Sequence, residues 1–150
     1  MTEGHNDFLT LQYYFHNKIS FTGKRKNENK VVSDLNWELY QQGMLPLLEW
    51  LGTFNLPIYI TENGLADADD KKRAKFIADG LQCVHQAISQ GINVQGYFYW
   101  SLLDNFEWDK GFWPRFGLVE VDFKTQTRKI RSSAQQYAKI CQSNVLEIEE

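Results

Sequence analysis

Glu62 stands directly after a short apolar run led by proline, Leu56-Pro57-Ile58-Tyr59-Ile60-Thr61, and is followed by Asn63 and Gly64. A run of that length reads as a buried strand, so its exit places a carboxylate where an unpaired charge is costly. A carboxylate held there is a candidate for chemistry. A lone Glu after a strand also serves as a helix cap or a loop hydrogen-bonder. A second set, Trp100, Asp104, Asn105, Glu107 and Trp108, falls within nine positions. Carboxylates accept hydrogen bonds on both oxygens and so suit vicinal sugar hydroxyls, while indole faces pack on the C–H faces of pyranoses. The other reading of this set is an aromatic-rich loop packed on a core. A third polar-aromatic group is Gln12-Tyr13-Tyr14.

For the three sets to meet, elements must deliver them to one end of a sheet. Residues 8–15 are rich in strand formers and read as a first strand. Residues 24–30, basic with interspersed Asn, read as a solvated loop. Gly43 breaks the pattern ahead of a short helix over 44–54, with Pro46 tolerated in its first turn. Residues 56–61 form the second strand. Asp69 and Asp70 open a long helix whose apolar face is Ile77, Leu81, Val84 and Ile88, and Gly91 stops it. Residues 93–100 make the third strand. Residues 116–123 and 129–130 read as a hairpin-like pair around 124–127. Ser132 or Ser133 caps a last helix running to about Cys141, and residues 144–150 form a frayed tail ending in the acidic stretch Glu147 to Glu150. This alternation marks an α/β protein with parallel strands. Function in such folds gathers beyond the carboxyl ends of the strands, where all three sets lie. Yet a closed barrel needs eight strands and about 250 residues. An open layer of three exposes long edges and an uncovered face.

The chain has 150 residues and a formal net charge of −3, with 43% hydrophobic and 23% charged residues, an ordinary soluble composition. No stretch approaches the roughly 20 apolar residues of a membrane-spanning helix. The first residues lack the basic start and apolar core of a signal peptide, and a cytoplasmic location is expected. Mild acidity argues against electrostatic binding of nucleic acid. Cys83 and Cys141 form neither a metal-ligand spacing nor a disulfide framework and are expected as reduced thiols. The aromatic content of 15% is the outlier, and it suits sugar stacking as well as core packing.

The segments 58–64 (Ile-Tyr-Ile-Thr-Glu-Asn-Gly) and 96–108 (Gly-Tyr-Phe-Tyr-Trp-Ser-Leu-Leu-Asp-Asn-Phe-Glu-Trp) closely resemble the carboxyl-terminal third of glycoside hydrolase family 1. Weaker parts of the likeness are Asp7-Phe8-Leu9 leading to Tyr13-Tyr14, Arg115-Phe116-Gly117-Leu118-Val119 and Val121-Asp122-Phe123. It runs from about Asp7 to Ile140. The resemblance implies a retaining β-glucosidase or β-galactosidase lineage on a (β/α)8 TIM barrel, with the three strands as barrel strands 6, 7 and 8. The whole of residues 1–150 would then be a partial barrel domain, incomplete as a single chain. By the same resemblance Glu62 matches the nucleophile, and Tyr14 the tyrosine that hydrogen-bonds it. Glu107 and Trp108 match the pair gripping the non-reducing sugar. Trp100 matches the tryptophan at the floor of the sugar site, joined to Ser101 by a cis peptide, and Phe116 matches a further aromatic wall. Glu107 would repel a phosphate, which favours an unphosphorylated β-glucoside or β-galactoside. No cofactor and no metal are implied.

Two departures stand near the site: Thr10 where the family often has Gly, and Gln12 where it often has Asn. A larger one concerns the second carboxyl. Retaining hydrolysis uses two carboxyls about 5–5.5 Å apart, and the family's acid/base comes from an Asn-Glu-Pro motif absent from these 150 residues. Asn55-Leu56-Pro57 is a coincidental likeness, with leucine at the carboxyl position. The chain is therefore expected to be inactive alone and to pair with an amino-terminal barrel fragment. The alternative is a non-catalytic sugar-binding or barrel-complementing fragment. Inward side chains facing absent strands are expected to drive association.

Overall fold

A computed structural model describes residues 4–25, 27 and 30–146. The loop expected over 24–30 and the tail expected over 144–150 lie partly outside the described residues. Three strands, β1 (Leu9–Gln12), β2 (Ile58–Gly64) and β3 (Val94–Trp100), form a parallel sheet in the order β1-β2-β3. Helix α1 (Met44–Gly52) connects toward β2, and α2 (Arg73–Ser89) crosses from β2 to β3. A hairpin of β4 (Val119–Val121) and β5 (Arg128–Ile130) precedes α3 (Ser132–Ser143).

One face of the sheet is packed and the other is open. Leu9, Leu11 and Tyr13 from the first segment, Ile58 and Ile60 from β2, and Val94 and Tyr97 from β3 share one core. Met44, Leu48 and Leu51 of α1 and Cys83, Val84 and Ala87 of α2 close it. The opposite face carries Phe8 and Phe98, which are 52% and 57% exposed, with Thr10 and Gln12 also exposed.

Several elements depart from their sequence expectations for physical reasons. β1 stops at Gln12 because the register with β2 shifts between Leu11 and Gln12. Gly43 does not interrupt the chain's helical course: a 3-10 turn at Gln41–Gly43 runs straight into α1. The buried stripe of α2 is Arg73, Phe76, Ile77, Gly80, Cys83, Val84 and Ala87, which rotates it away from Ile88, 50% exposed. Gly80 belongs to that stripe because an added Cβ would sit 2.9 Å from Gln41 Nε2 and 3.1 Å from Asn63 Oδ1.

The helix starts are capped from a distance. α2 begins at Arg73 rather than at Asp69–Asp70, and Asp67 Oδ2 accepts from the amides of Lys72 (2.8 Å) and Arg73 (3.1 Å). Asp70 instead reaches α3, accepting from the Ser133 amide at 3.0 Å and the Ser132 hydroxyl at 3.0 Å. Ser132 and Ser133 therefore lie inside the first turn of α3, and a carboxylate from another loop does the capping. Among the described residues, no helix is long and apolar enough to cross a membrane, and no group of three potential ligands could hold a metal ion.

Candidate functional site

Glu62 lies within β2 rather than beyond it, and strict alternation with Ile58 and Ile60 would drive it into the core. The register with β3 is irregular between Ile60 and Asn63. Asn63 is fully buried, and its amide donates to the Tyr13 carbonyl at 2.5 Å. Asn63 Oδ1 accepts from Gln41 Nε2 (2.9 Å) and Tyr97 Oη (2.7 Å). With Asn63 turned toward the helices, Glu62 turns to the open face. There Tyr14 Oη donates to Glu62 Oε2 at 2.5 Å and Gln12 Nε2 donates to Oε1 at 2.8 Å. The Tyr13 amide donates to the Glu62 carbonyl at 2.9 Å, fixing the backbone beneath both contacts. Burial, then the hydrogen bond to Glu62 and its charge, pushes the Tyr14 phenol far above its usual range. The phenol is thus a committed donor, and Glu62 is presented as an acceptor carboxylate.

Aromatic rings stand behind Tyr14. Phe116 meets it edge-on, with centroids 6.2 Å apart, and Trp37 meets it at 5.8 Å. Trp37 also stacks on Phe15 at 4.8 Å. Phe116, expected as an aromatic wall, is 1% exposed and packs its edge against the Tyr14 ring. Trp37 was not legible as a site residue, since nothing in its local sequence sets it beside residue 14.

The loop after β3 leaves some residues accessible and buries others. Trp100 pairs with Gly64 across the sheet, and its peptide to Ser101 is cis. Glu107 is partly exposed and Trp108 is 83% exposed. Burial first, then the charges of Asp109 and Glu62, raise the Glu107 carboxyl above its ordinary range. Glu107 therefore senses Glu62 through space. Asp104 and Asn105, grouped with these by sequence, do other work. The Asp104 side chain is fully buried and accepts from the amides of Gly117 (2.8 Å) and Val121 (3.2 Å). It also pairs with Arg131 at 3.2 Å and Arg115 at 3.4 Å. Asn105 Nδ2 donates to the Ser101 hydroxyl at 2.9 Å.

Arg73, with a side chain 0% exposed, is the second clamp. Its guanidinium donates to the carbonyls of Asp67, Arg115 (3.1 Å) and Gly117 (3.2 Å) and to Asp70 Oδ1 (3.1 Å). It ties the loop after β2 to the segment carrying Phe116. A buried charge with this many acceptors is tolerated where a bare one would not be. The site is thus one carboxylate with both oxygens oriented, a second carboxylate within electrostatic reach, and Trp100 paired with Gly64 on the neighbouring strand. Such a set suits attack by a carboxylate on an electrophilic carbon of a polyhydroxylated ring.

Residues 3–146 match the profile of Glycosyl hydrolase family 1. The chain is 37% identical to a β-galactosidase of Sulfolobus acidocaldarius, over 96% of this chain and 29% of that protein. It is 36% identical to the cytosolic β-glucosidase of Homo sapiens, over 98% of this chain and 36% of that protein. Among solved structures, a β-glycosidase from Pyrococcus horikoshii superposes with a TM-score of 0.87 at 39% identity, covering 95% of this chain and 36% of that one. The β-glucosidase from Thermotoga maritima in complex with castanospermine superposes with a TM-score of 0.88 at 32% identity, covering 95% and 36%. The chain spans roughly a fifth to a third of the length of the curated relatives it matches.

Proposed function

The chain belongs to glycosyl hydrolase family 1, and from that premise we propose that it supplies the nucleophile side of a retaining β-glycosidase site. The observation that carries this reading is the Glu62 carboxylate, held on the open sheet face with Tyr14 on one oxygen and Gln12 on the other. In the proposed reaction a Glu62 oxygen attacks the anomeric carbon, and the bond from that carbon to the leaving-group oxygen breaks. The leaving oxygen takes a proton from an acid that these 150 residues do not supply. Water then adds to the anomeric carbon, gives a proton to the same group, and frees Glu62. Tyr14 orients the carboxylate through its hydrogen bond. Glu107, Trp108 and Trp100 bind the sugar, an unphosphorylated β-glucoside or β-galactoside, since Glu107 repels phosphate.

The placement of β1 to β3 as the last three strands of the barrel is part of the same proposal. It rests on the motifs at 61–64 and 100–108, not on the extent of the matches. The proton donor then sits on polypeptide carrying the other five strands, and this chain alone turns over no substrate. A cytoplasmic location belongs to the same reading.

The test is covalent. The chain, alone and mixed with an amino-terminal family-1 fragment, is treated with a slow 2-fluoro-glycoside bearing a dinitrophenyl leaving group and mapped by mass spectrometry. Label on Glu62 in the mixture, lost in Glu62→Gln, is expected. Label on another residue, or turnover of an unactivated glycoside by the chain alone, overturns the proposal.

A further inference from the structure

We propose that Gln12 is a positioning residue for Glu62, setting the carboxylate plane together with Tyr14. This rests on the reading of Glu62 as the reacting group, and its own test does not require that reading to hold. Gln12 faces Glu62 across the β1–β2 ladder, at the point where the register shifts. Gln12 and Tyr14 are two positions apart on one strand course and share a face. Between them Tyr13 is anchored twice: its amide donates to the Glu62 carbonyl at 2.9 Å, and its hydroxyl donates to the Tyr40 carbonyl at 2.5 Å. The two donors therefore spring from one backbone segment pinned to the residue they serve. They take different oxygens, Oε1 for Gln12 at 2.8 Å and Oε2 for Tyr14 at 2.5 Å. One donor leaves a carboxylate free to rotate about its last bond; two donors at opposite oxygens stop that rotation.

The length of the side chain decides whether the contact exists. An amide one methylene shorter on the same backbone would withdraw its nitrogen by roughly 1.5 Å, taking a 2.8 Å contact outside hydrogen-bonding range. Gln12→Asn therefore acts as a loss of the donor, equivalent to Gln12→Leu, although it is chemically conservative. Gln12 is exposed, so water competes with it on the open face. Any polypeptide or sugar that covers the face strengthens the bond by lowering the local dielectric.

Magic-angle-spinning NMR of the full chain, labelled with 15N in glutamine side chains, tests this and reads associated and monomeric protein alike. The Gln12 resonance is identified by its loss in Gln12→Leu. It is expected to move as the sample is titrated across the carboxylate range, and to stay fixed in Glu62→Gln. The amide introduced by Gln12→Asn, labelled in turn, is expected to stay fixed as well. A Gln12 signal that ignores pH, or that moves equally in Glu62→Gln, overturns the assignment. In the chain complemented by an amino-terminal fragment, Gln12→Leu and Gln12→Asn are both expected to slow fluoroglycoside labelling about tenfold, the equivalent of losing one hydrogen bond to a charged group. Labelling slowed by Gln12→Leu but not by Gln12→Asn overturns the reach argument. Absence of label in the parent with a pH-tracking Gln12 overturns the nucleophile reading and leaves the hydrogen bond standing.

Discussion

Glu107 and Asp109 lie two positions apart on the loop after β3, and their environments push them in opposite directions. Burial, then the charges of Asp109 and Glu62, raises the Glu107 carboxyl. The hydrogen bond and charge of Lys110 hold Asp109 below its ordinary value. Asp109 is thus ionised where Glu107 titrates, and it acts as a fixed negative neighbour. In the proposed site an ionised Glu107 would accept two sugar hydroxyls, and that form is lost as pH falls through the raised value. Asp109→Asn removes one repulsive charge and leaves Lys110 nearby. The Glu107 midpoint is expected to move down, read by carboxyl 13C NMR, and binding of a β-glucoside analogue should persist to lower pH. A midpoint that stays put would assign the rise to burial and the charge of Glu62.

Asp70 shows how elements hold the site from outside it. Burial pushes its carboxyl up, but the hydroxyl and amide of Ser133, the Arg73 guanidinium and the Ser132 hydroxyl outweigh that and hold it below the ordinary 3.8. It joins the start of α3 to the buried Arg73, and Arg73 in turn fixes the carbonyls of residues 115–117. A depressed carboxyl binds fewer protons folded than unfolded. Its stabilisation is therefore full above the unfolded value and is lost as pH falls through the folded one. Asp70→Asn is expected to destabilise the chain by about 1–2 kcal/mol near neutral pH, with faster hydrogen exchange concentrated in the first turn of α3. The gap between parent and variant should close below pH 3.8, where the parent loses the charge as well. A gap independent of pH would assign the effect to packing. These long-range ties mark the limit of what the sequence conveyed. The second strand was legible as the apolar run 56–61, and the α2 crossover because Ile77 and Val84 recur at helical spacing, although the expected face also took in Ile88, which is exposed. That Asp70 caps α3, that Asp104 clamps a hairpin, and that a slip after Ile60 turns Glu62 outward depend on partners far along the chain. Local pattern holds no trace of them. Glu62, Tyr14, Trp100 and Glu107 stood out through motif resemblance and Gln12 as a departure from it, whereas Trp37 took its place through ring contacts with Tyr14 and Phe116 far along the chain.

At the scale of the whole molecule the surface exceeds what a compact monomer presents. The chain exposes 10111 Å² at 17.6 kDa, where a compact protein of that mass exposes about 7,900 Å². The exposed apolar part includes Phe8 (52%) and Phe98 (57%) on the open sheet face and Leu102 (68%), Phe106 (59%) and Trp108 (83%) in the loop after β3. Apolar surface this extensive, flanked by the unpaired outer edges of β1 and β3, favours association. Copies of the same chain satisfy it poorly, because three-stranded pieces sum to six or nine strands, and a (β/α)8 barrel closes with eight. On the proposed barrel placement, self-association is expected to be open-ended, and closure of the sheet would fall to a five-stranded partner. In sedimentation velocity at micromolar concentration the chain should run as species larger than 17.6 kDa. The double substitution Phe8→Lys with Phe98→Lys should shift it toward monomer, because it charges the open face and leaves the core beneath α1 and α2 intact. An amino-terminal family-1 fragment should do the same to the parent by forming a one-to-one complex. A parent chain that sediments as a single monomer, with no change on adding the fragment, would mean that the open face is self-sufficient, and the need for a partner would fall with it.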